Sequence, residues 1–299
     1  RPNVAVITNI GLSHLELLGS QEAIAEAKSE ILDYLPVGGA AVLNADDSFF
    51  QLLKERVPPG AGVLTFGMEK AGPEGVIGQY LGPGAKPGVK SAHPAEGTRF
   101  TVRGARERSV RWGWMPLLGR HNMINAIAAA AAGLAMGVSW PRVIRGLGEA
   151  EISGMRMTVH RLRDGTVLLD DAYNASSPEA MVGALDVLRE QPGLRKIAVL
   201  GSMLELGSAS EDAHRQVGEA AAAVAPSFLV TVGEEARLIA ESAAAAGFPA
   251  DSIAACADND EALARLLPRR RSGDVILVKG SRGMAMEAVV RGLREGGTP

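Results

Sequence analysis

The sequence is poor in cysteine, in aromatic side chains and in long apolar runs. Cys256 is the one cysteine among 299 residues, which excludes an intramolecular disulfide and is typical of a reducing compartment such as the cytoplasm. The longest apolar stretch, residues 126–138, is shorter than the ~20 residues that a membrane-spanning helix needs. We therefore expect a cytoplasmic protein that does not insert into a membrane.

The sequence also lacks a charge bias and several common ligand-binding motifs. Its 31 Lys and Arg residues stand against 34 Asp and Glu residues, whereas a nucleic-acid binder carries a basic excess, so no nucleic-acid partner is expected. The sequence contains no G-x-x-x-x-G-K-[ST] phosphate loop (P-loop), no G-x-G-x-x-G after the first strand of its second half and no zinc-type Cys/His cluster. The missing G-x-G-x-x-G counts against a dinucleotide oxidoreductase.

The length predicts about two domains, which we place at residues 1–152 and 153–299. The regular elements predicted in the first are a strand at 4–7, a helix over 20–34, a strand at 39–43 and a helix over 122–136. Residues 58–114 consist of short strand-like pieces between Gly/Pro-rich turns, with a loop at 82–95. This texture predicts a small antiparallel meander.

The second half alternates strand-like and helical segments at regular spacing. The predicted strands lie at residues 167–170, 197–200, 229–232, 252–255 and 275–278. Helical runs are predicted to begin near residues 178, 211, 234, 260 and 284. Such alternation predicts an α/β fold with a parallel, doubly wound sheet, in which ligands bind at the carboxyl ends of the strands.

Lys28 is unusual because only seven of the 31 basic residues are lysines and this one falls within an apolar pattern. The spacing of Ile24, Ala27, Ile31 and Leu35 predicts one apolar stripe on the 20–34 helix, and Lys28 lies inside it. Burial favours the neutral amine, which can react with carbon dioxide to form a carbamate able to bind a hard metal ion. The alternative is a lysine that extends from the edge of the stripe to water.

His14 belongs to a polar loop that follows the first strand and precedes the helix of Lys28. A histidine there is a candidate metal ligand. A lone loop histidine also fits a structural or simply exposed position, and the residue alone does not decide between these alternatives.

Two asparagines and an aspartate are candidates for nucleotide binding. Asn122 and Asn125 lie one turn apart at the start of a predicted helix, and their amides have the donors and acceptors that an adenine edge requires. The alternative is that Asn122 is a helix cap. Asp171 follows the first strand of the second half, where a carboxylate can bind a ribose hydroxyl or cap a loop.

Residues 279–283 follow the last predicted strand and contain Lys279, Ser281 and Arg282 beside two glycines. Two cations and glycine amides near a helix start are suited to a carboxylate or phosphate group. A solvated basic loop is the alternative.

Eight short segments, taken in order, resemble the Mur ligase family. They are residues 7–10 with 14–15, 27–30, 43–47, 119–126, 154–157, 170–175, 200–207 and 278–284. Tyr173 with Asn174, and residues 203–207, favour the branch that adds D-alanyl-D-alanine. The resemblance implies the latter part of a P-loop-type central ATPase domain followed by a Rossmann-like C-terminal domain.

The family resemblance implies an ATP-dependent amide ligase of peptidoglycan synthesis that acts as a monomer. ATP would phosphorylate the carboxylate of UDP-N-acetylmuramoyl-tripeptide, and the amine of D-alanyl-D-alanine would attack the acyl phosphate. Two Mg²⁺ ions are implied as cofactors. The alternatives are another Mur ligase, a folylpolyglutamate-type ligase, or a non-catalytic module that binds a nucleotide or a peptide.

The resemblance also implies a role for each candidate residue. The implied roles are Lys28 as a carbamate and His14 as Mg²⁺ ligands, Asn122 and Asn125 as adenine readers, Arg156 at the ATP phosphates, Asp171 at the ribose, and Glu205, His214, Lys279 and Ser281 at the incoming amino substrate. Two positions depart from the family pattern. Ser202 stands where an aspartate is expected, and the turn at residues 176–178 is one residue longer than usual.

The chain begins at Arg1 without a methionine. In the family, a UDP-binding domain, a P-loop and a magnesium-binding glutamate precede this point. We therefore expect that residues 1–299 alone are inactive as a ligase.

Overall fold

A computed structural model describes residues 1–12, 15–88, 96–151, 154–175, 177–193 and 195–296. The chain divides into two compact units, Arg1–Glu151 (unit 1) and Ile152–Pro299 (unit 2). No helix in the described ranges is both long enough and apolar enough to cross a membrane.

Unit 1 contains a mixed sheet with helices on both faces. Its strands are β1 (Val4–Ile7), β2 (Ala40–Asn44), β3 (Gly62–Gly67), β4 (Val76–Gly84), β5 (Gly97–Gly104) and β6 (Arg111–Met115). Its helices are α1 (Leu15–Leu18), α2 (Gln21–Ser29), α3 (Phe50–Glu55), α4 (Arg120–Ala135) and α5 (Trp140–Gly148). Within the described residues the strand order is β1-β2-β3-β4-β5-β6, parallel up to β4 and antiparallel beyond it.

Alternation along β2 places side chains on the two faces of this sheet. Val42 packs with Met123 and Ile127 of α4 in one apolar layer. Its neighbours Ala41 and Leu43 pack against α2 and α3 in the other. Because both faces are covered, β2 is an apolar run, as expected for a buried parallel strand.

The predicted meander is wrong in its first part. β3 pairs in parallel with β2 and β4, so it belongs to the parallel half of the sheet, and only β4, β5 and β6 form an antiparallel meander. β4 was not predicted because its Gly and Pro residues resemble a turn; its register shifts between Tyr80 and Pro83. Of the loop predicted at 82–95, residues 82–84 belong to β4 and residues 89–95 lie outside the described ranges.

The apolar stripe predicted around Lys28 is also wrong. Ser20 caps α2 as expected, accepting a hydrogen bond from the backbone N–H of Ala23 at 3.1 Å. The α-helix ends at Ser29, however, and a 3₁₀ turn, which has three residues per turn, covers Glu30–Tyr34. The residues buried along this segment are Ile24, Ala25, Ser29, Leu32 and Leu35. Ala27 and Lys28 are exposed, and Ile31 is 43 % exposed.

Unit 2 has the predicted α/β architecture. Its strands are β7 (Thr158–Arg161), β8 (Val167–Asp171), β9 (Lys196–Gly201), β10 (Phe228–Val232), β11 (Ile253–Cys256) and β12 (Val275–Lys279). Its helices are α6 (Pro178–Glu190), α7 (Ser210–Val224), α8 (Arg237–Ala245), α9 (Asn259–Leu266) and α10 (Glu287–Glu295). The described strands have the order β11-β10-β9-β12-β8-β7, all parallel except the edge strand β7, which was not predicted.

The helices of unit 2 lie on both faces of its sheet, which is therefore doubly wound. Helices α6, α7 and α8 pack together on one face, and α9 and α10 pack together on the other. Strand β12 lies between β8 and β9. The chain leaving β12 runs to the opposite face from the chains leaving β8 and β9. The carboxyl end of β12 is therefore a topological switch point, where doubly wound sheets bind ligands.

Candidate functional site

The switch point of unit 2 is organised around a buried ion pair. Lys279, the last residue of β12, lies opposite Asp171, the last residue of β8. The Lys279 Nζ donates to Asp171 Oδ2 at 2.7 Å and to the carbonyl oxygen of Asn174, also at 2.7 Å. The Lys279 side chain is 4 % exposed and that of Asp171 is 15 % exposed. The pair therefore joins two strand ends and the loop after β8.

Asp171 also holds the turn that carries Arg156. Its Oδ1 accepts a hydrogen bond from the backbone N–H of Met157 at 3.0 Å. Met155 and Met157, on either side of Arg156, have φ angles of 60° and 55°, a left-handed conformation that costs of order 1–3 kcal/mol for residues other than glycine. Such strain persists only where surrounding contacts impose it, and it concentrates at functional positions.

The exposed guanidinium of Arg156 lies over the ring of Tyr173, with its Cζ 4.3 Å from the ring centroid. The backbone N–H of Tyr173 donates to the carbonyl oxygen of Met155 at 2.9 Å. A cation–π contact together with this backbone bond restricts where the guanidinium can go. Arg156 is thus a positioned and solvent-accessible cation.

Ser281 and His214 are buried, and their polar atoms are bonded within unit 2. The Ser281 hydroxyl donates to the carbonyl oxygen of Ala175 at 2.7 Å and accepts from the backbone N–H of Leu204 at 2.8 Å. His214 Nε2 accepts from the backbone N–H of Met203 at 2.9 Å, and its Nδ1 lies 2.6 Å from the carbonyl oxygen of Ser210.

The contacts of His214 define its protonation state. Nδ1 carries the proton that is donated to the Ser210 carbonyl, and Nε2 is left as an acceptor, so the ring is neutral. Burial lowers the pKa of His214, opposed by its bond to Ser210. The geometry assigns His214 and Ser281 to holding the backbone at residues 203–204.

Glu205 occupies the segment that these two side chains hold. It is exposed and has a φ of 66°, which presents its carboxylate on a strained turn. Ser202, which replaces an expected aspartate, is fully buried and accepts from the backbone N–H of Ala236 at 3.1 Å. In the longer turn, Ser177 caps α6 through the backbone N–H of Ala180, and Ser176 lies outside the described residues.

In unit 1 the loop after β1 is fixed by the last residue of β2 and by a residue that follows β2. The Asn44 side chain donates to the carbonyl oxygen of Thr8 at 2.9 Å, and the Asp47 carboxylate accepts from the backbone N–H of Ile10 at 2.8 Å. The Lys28 Nζ reaches the carbonyl oxygen of Asn9 at 3.5 Å. Lys28 is therefore an exposed lysine beside a fixed loop, and His14 lies outside the described residues.

Asn122 and Asn125 lie in the first turns of α4, whose cap residue is Gly119, so Asn122 is not the cap. Asn122 donates to the carbonyl oxygen of Leu118 at 2.8 Å, and Asn125 donates to Asn122 Oδ1 at 3.3 Å. Asn122 is half-buried and Asn125 is exposed. The two amides are thus adjacent and oriented by one another.

The described residues contain no group of three or more His, Cys, Asp or Glu side chains that could hold a metal ion. The Lys28 ammonium is itself no metal ligand. Lys28 could bind a metal ion only as a carbamate, and no chemical step below passes through a metal ion.

Sequence reasoning missed several residues that shape these sites. Asn44 and Asp47 belong to a segment noted for its family resemblance, and the signal for their role was their position directly after a strand. Nothing in the sequence marked the left-handed conformations of Met155 and Met157. Tyr173 was noted only as part of the family pattern, because its contact with Arg156 depends on the fold of the turn.

Comparison with protein families gives two matches, one in each unit. The Mur ligase middle domain matches residues 1–133, and the Mur ligase, glutamate ligase domain matches residues 155–282. UDP-N-acetylmuramoyl-tripeptide–D-alanyl-D-alanine ligases are similar along the whole chain. The Bacillus subtilis enzyme is 33 % identical over 98 % of the chain, and the Escherichia coli enzyme is 35 % identical over 100 % of it. The chain spans 60 % and 61 % of those two relatives.

Solved structures agree with these matches. A crystal structure of MurF from Acinetobacter baumannii aligns with a TM-score of 0.83 and 28 % identity, over 98 % of this chain and 60 % of that one. MurF ligase from Thermotoga maritima in complex with ADP aligns with a TM-score of 0.78 and 25 % identity, over 99 % of this chain and 62 % of that one. The chain belongs to the Mur ligase family, of which it carries the middle and glutamate ligase domains.

Proposed function

We propose that the protein carrying this chain is an ATP-dependent amide ligase of peptidoglycan synthesis that joins D-alanyl-D-alanine to UDP-N-acetylmuramoyl-tripeptide. The observation that carries the proposal is the Asp171–Lys279 pair at the switch point, which holds the strained turn of Arg156. The names of the relatives point to the same reaction.

In this reaction ATP transfers its terminal phosphoryl group to the donor carboxylate, and the acceptor amine then displaces phosphate to form the amide. Arg156 is the exposed, positioned cation, and we assign it to the phosphate groups, where it would stabilise developing negative charge. Tyr173 limits the positions of the Arg156 guanidinium. Arg156 therefore loses less conformational entropy when the phosphates bind.

The Asp171 carboxylate is assigned to the ribose. A carboxylate has about four acceptor sites, of which Lys279 and the Met157 N–H use two. Since its side chain is 15 % exposed, Asp171 retains acceptor capacity for a hydroxyl group. Lys279 offsets the charge of Asp171 and acts behind it as a positioning residue.

Glu205 is assigned to the incoming amino substrate because it is the exposed member of that group of candidates. His214, Lys279 and Ser281 support the substrate site through the backbone at residues 174–175 and 203–204 rather than by contact. In unit 1, Asn122 and Asn125 are assigned to the adenine edge. We place the reaction in the cytoplasm.

We assign Lys28, as a carbamate, and His14 to a hard metal ion, Mg²⁺. Because Lys28 is exposed, this assignment rests on the family resemblance and not on burial of the amine. ¹³C NMR of the protein in ¹³C-bicarbonate should show a carbamate resonance that is lost in Lys28→Ala and kept in Lys54→Ala. An identical spectrum for the wild type and Lys28→Ala would contradict this assignment.

The ligase assay with the protein that carries this chain tests the function. Phosphate release should require both UDP-N-acetylmuramoyl-tripeptide and D-alanyl-D-alanine, and Arg156→Ala should lower kcat roughly 10²-fold or more. The control Arg163→Ala removes another exposed arginine of unit 2 and should leave kcat unchanged. Equal rates for Arg156→Ala and Arg163→Ala would contradict the role of Arg156. Preference for L-lysine, diaminopimelate or glutamate as acceptor would overturn the substrate assignment.

The adenine assignment has its own test. ADP should bind in preference to GDP, and Asn125→Asp should weaken that preference because the amide donor becomes a carboxylate. Asn3→Asp, at an exposed position of unit 1, is the matched control. If the ratio of the affinities for ADP and GDP is unchanged in Asn125→Asp, Asn125 does not bind the adenine edge.

A further inference from the structure

A separate cleft in unit 1 has the properties of a small-molecule site. It has a volume of about 800 Å³, within the range of roughly 300–1,000 Å³ that is usual for ligand pockets. Its lining comes from the chain between β2 and the end of α3, from β3, from the turn after β3, and from Arg106 after β5. None of the residues assigned above to the nucleotide, the substrates or the metal lines it.

One wall of the cleft is the turn after β3, which is held by side chains beneath it. The Asp46 carboxylate accepts hydrogen bonds from three consecutive backbone N–H groups, those of Met68, Glu69 and Lys70, at 2.6, 3.1 and 2.8 Å. The hydroxyl of Thr65, on β3, accepts from the backbone N–H of Gly72 at 2.6 Å. The wall is therefore formed before any ligand arrives.

Two glycines allow this turn to approach its supports closely. A Cβ on Gly67 would lie 2.2 Å from the carbonyl oxygen of Lys70 and 2.8 Å from Asp46 Oδ2. A Cβ on Gly75 would lie 2.4 Å from Thr65 Oγ1. Side chains at these positions would push the wall away from β3, so the shape of the cleft depends on both glycines.

The carboxylates that line the cleft already have partners. Asp46 holds the turn, and Asp47 accepts from the backbone N–H groups of Ile10 and Phe49, both at 2.8 Å. Glu74 pairs with Arg106 at 2.6 Å. These acidic groups are thus hydrogen-bonded or ion-paired within unit 1.

The two lysines that line the cleft are not neutralised in this way. The ammonium groups of Lys54 and Lys70 have no hydrogen bond or ion pair with any residue in the described part of the chain. Phe50, Val63 and Pro73 supply apolar lining. Asp46, Asp47 and Glu74 balance Lys54, Lys70 and Arg106 in formal charge, and the cleft combines a preformed apolar surface with two ammonium groups that have no ion pair in the described residues.

We propose that this cleft binds a small amphiphilic anion, a molecule with a flat or branched apolar body and one carboxylate, sulfonate or phosphate group. The apolar body would lie against Phe50, Val63 and Pro73, and the anionic group would pair with Lys54 and Lys70. The carboxylate-bonded turn and its two glycines keep the cleft open for this ligand.

Calorimetric titration of the 299-residue chain with 2-naphthoate, and with its neutral analogue 2-naphthamide, tests the proposal. Naphthoate should bind saturably and more tightly than naphthamide, and its affinity should fall with rising salt because the pairing is electrostatic. Lys54→Met and Lys70→Met should each weaken naphthoate binding about two- to fivefold and leave naphthamide unaffected.

Lys86→Met is the matched control, since Lys86 is an exposed lysine of unit 1 that does not line the cleft. Absence of saturable naphthoate binding, equal affinity for naphthamide, or an equal loss in Lys86→Met would each overturn the proposal. The titration uses no ATP and no amino substrate. A failed ligase assay therefore leaves this proposal standing, and a failed titration leaves the proposed ligase standing.

Discussion

Lys28 in unit 1 is exposed, whereas Lys279 in unit 2 is buried. The pattern around Lys28 left open a buried amine or a lysine that extends to water. The side chain is exposed, and its one hydrogen bond in the described structure, to Asn9, is 3.5 Å long. Lys279 was a candidate ligand-binding cation, yet it is 3 % exposed and makes two bonds of 2.7 Å. A buried lysine at a strand end is held by partners from distant segments, which a local pattern does not reveal.

The largest expected effect is a difference in unfolding free energy between the variants of these two lysines. Lys279→Met leaves the Asp171 carboxylate, which is 15 % exposed, without its cation, so the free energy of unfolding should fall by up to about 3 kcal/mol, the low end of the range for a fully buried pair. Lys28→Met should change it by less than about 0.5 kcal/mol because the residue is exposed. Urea unfolding followed by circular dichroism measures both, and similar losses in the two variants would show that the contrast is wrong.

Ser281 tests whether the hydrogen bonds around the switch point are structural. Ser281→Ala leaves the buried N–H of Leu204 without its acceptor, which should cost about 1–3 kcal/mol in unfolding free energy. Ser208→Ala, at an exposed position, is the control and should have no measurable effect. If both alanine variants unfold at the same urea concentration, the hydroxyl does not support this loop.

His214 makes the stability of unit 2 depend on pH. Its pKa is lowered in the folded state, so the unfolded chain binds the additional proton. Its contribution is therefore complete above the unfolded pKa of about 6.5 and is lost as the pH falls below that value toward the folded pKa. Urea unfolding between about pH 7.5 and about pH 5 should show a steeper loss of stability in the wild type than in His214→Gln. Parallel curves would contradict a neutral, buried His214.

Tyr173 should give the smallest effect. Tyr173→Leu removes the ring under Arg156, and an exposed cation–π contact is worth about 0.5–1 kcal/mol, so kcat/KM for ATP should fall about two- to fivefold. Tyr34→Leu, which removes an exposed tyrosine of unit 1, is the control. A decrease of the same size in Tyr34→Leu would show that the ring does not act through Arg156.

The sequence predicted the architecture of unit 2 better than that of unit 1. The five parallel strands lie within one residue of their predicted bounds at each end, because each is an apolar run closed by turn residues. In unit 1, β4 was missed because Gly82, Pro83 and Gly84 continue a strand instead of ending it. The local composition indicates a turn at these residues, but pairing with β5 keeps them in a strand.

Part of the candidate site could also be predicted from the sequence. The strand-end rule directed attention to the ends of β8 and β12, where the structure has the Asp171–Lys279 pair, because the rule depends only on the order of the elements. It could not distinguish a ligand-binding side chain from a buried positioning one. The pairing of Lys279 with Asp171 links residues 108 positions apart, and the turn of Arg156 depends on two left-handed methionines that no pattern marks.

The Asp171–Lys279 pair positions the Arg156 turn for ligation, and this role matters more than its contribution to the stability of unit 2. The double variant Asp171→Leu/Lys279→Met replaces both charges with apolar side chains, an exchange that is often neutral for stability. In the protein that carries this chain, we predict a smaller loss of unfolding free energy than in Lys279→Met, together with loss of ATP-dependent ligation of D-alanyl-D-alanine. A double variant that ligates at the wild-type rate would contradict the claim.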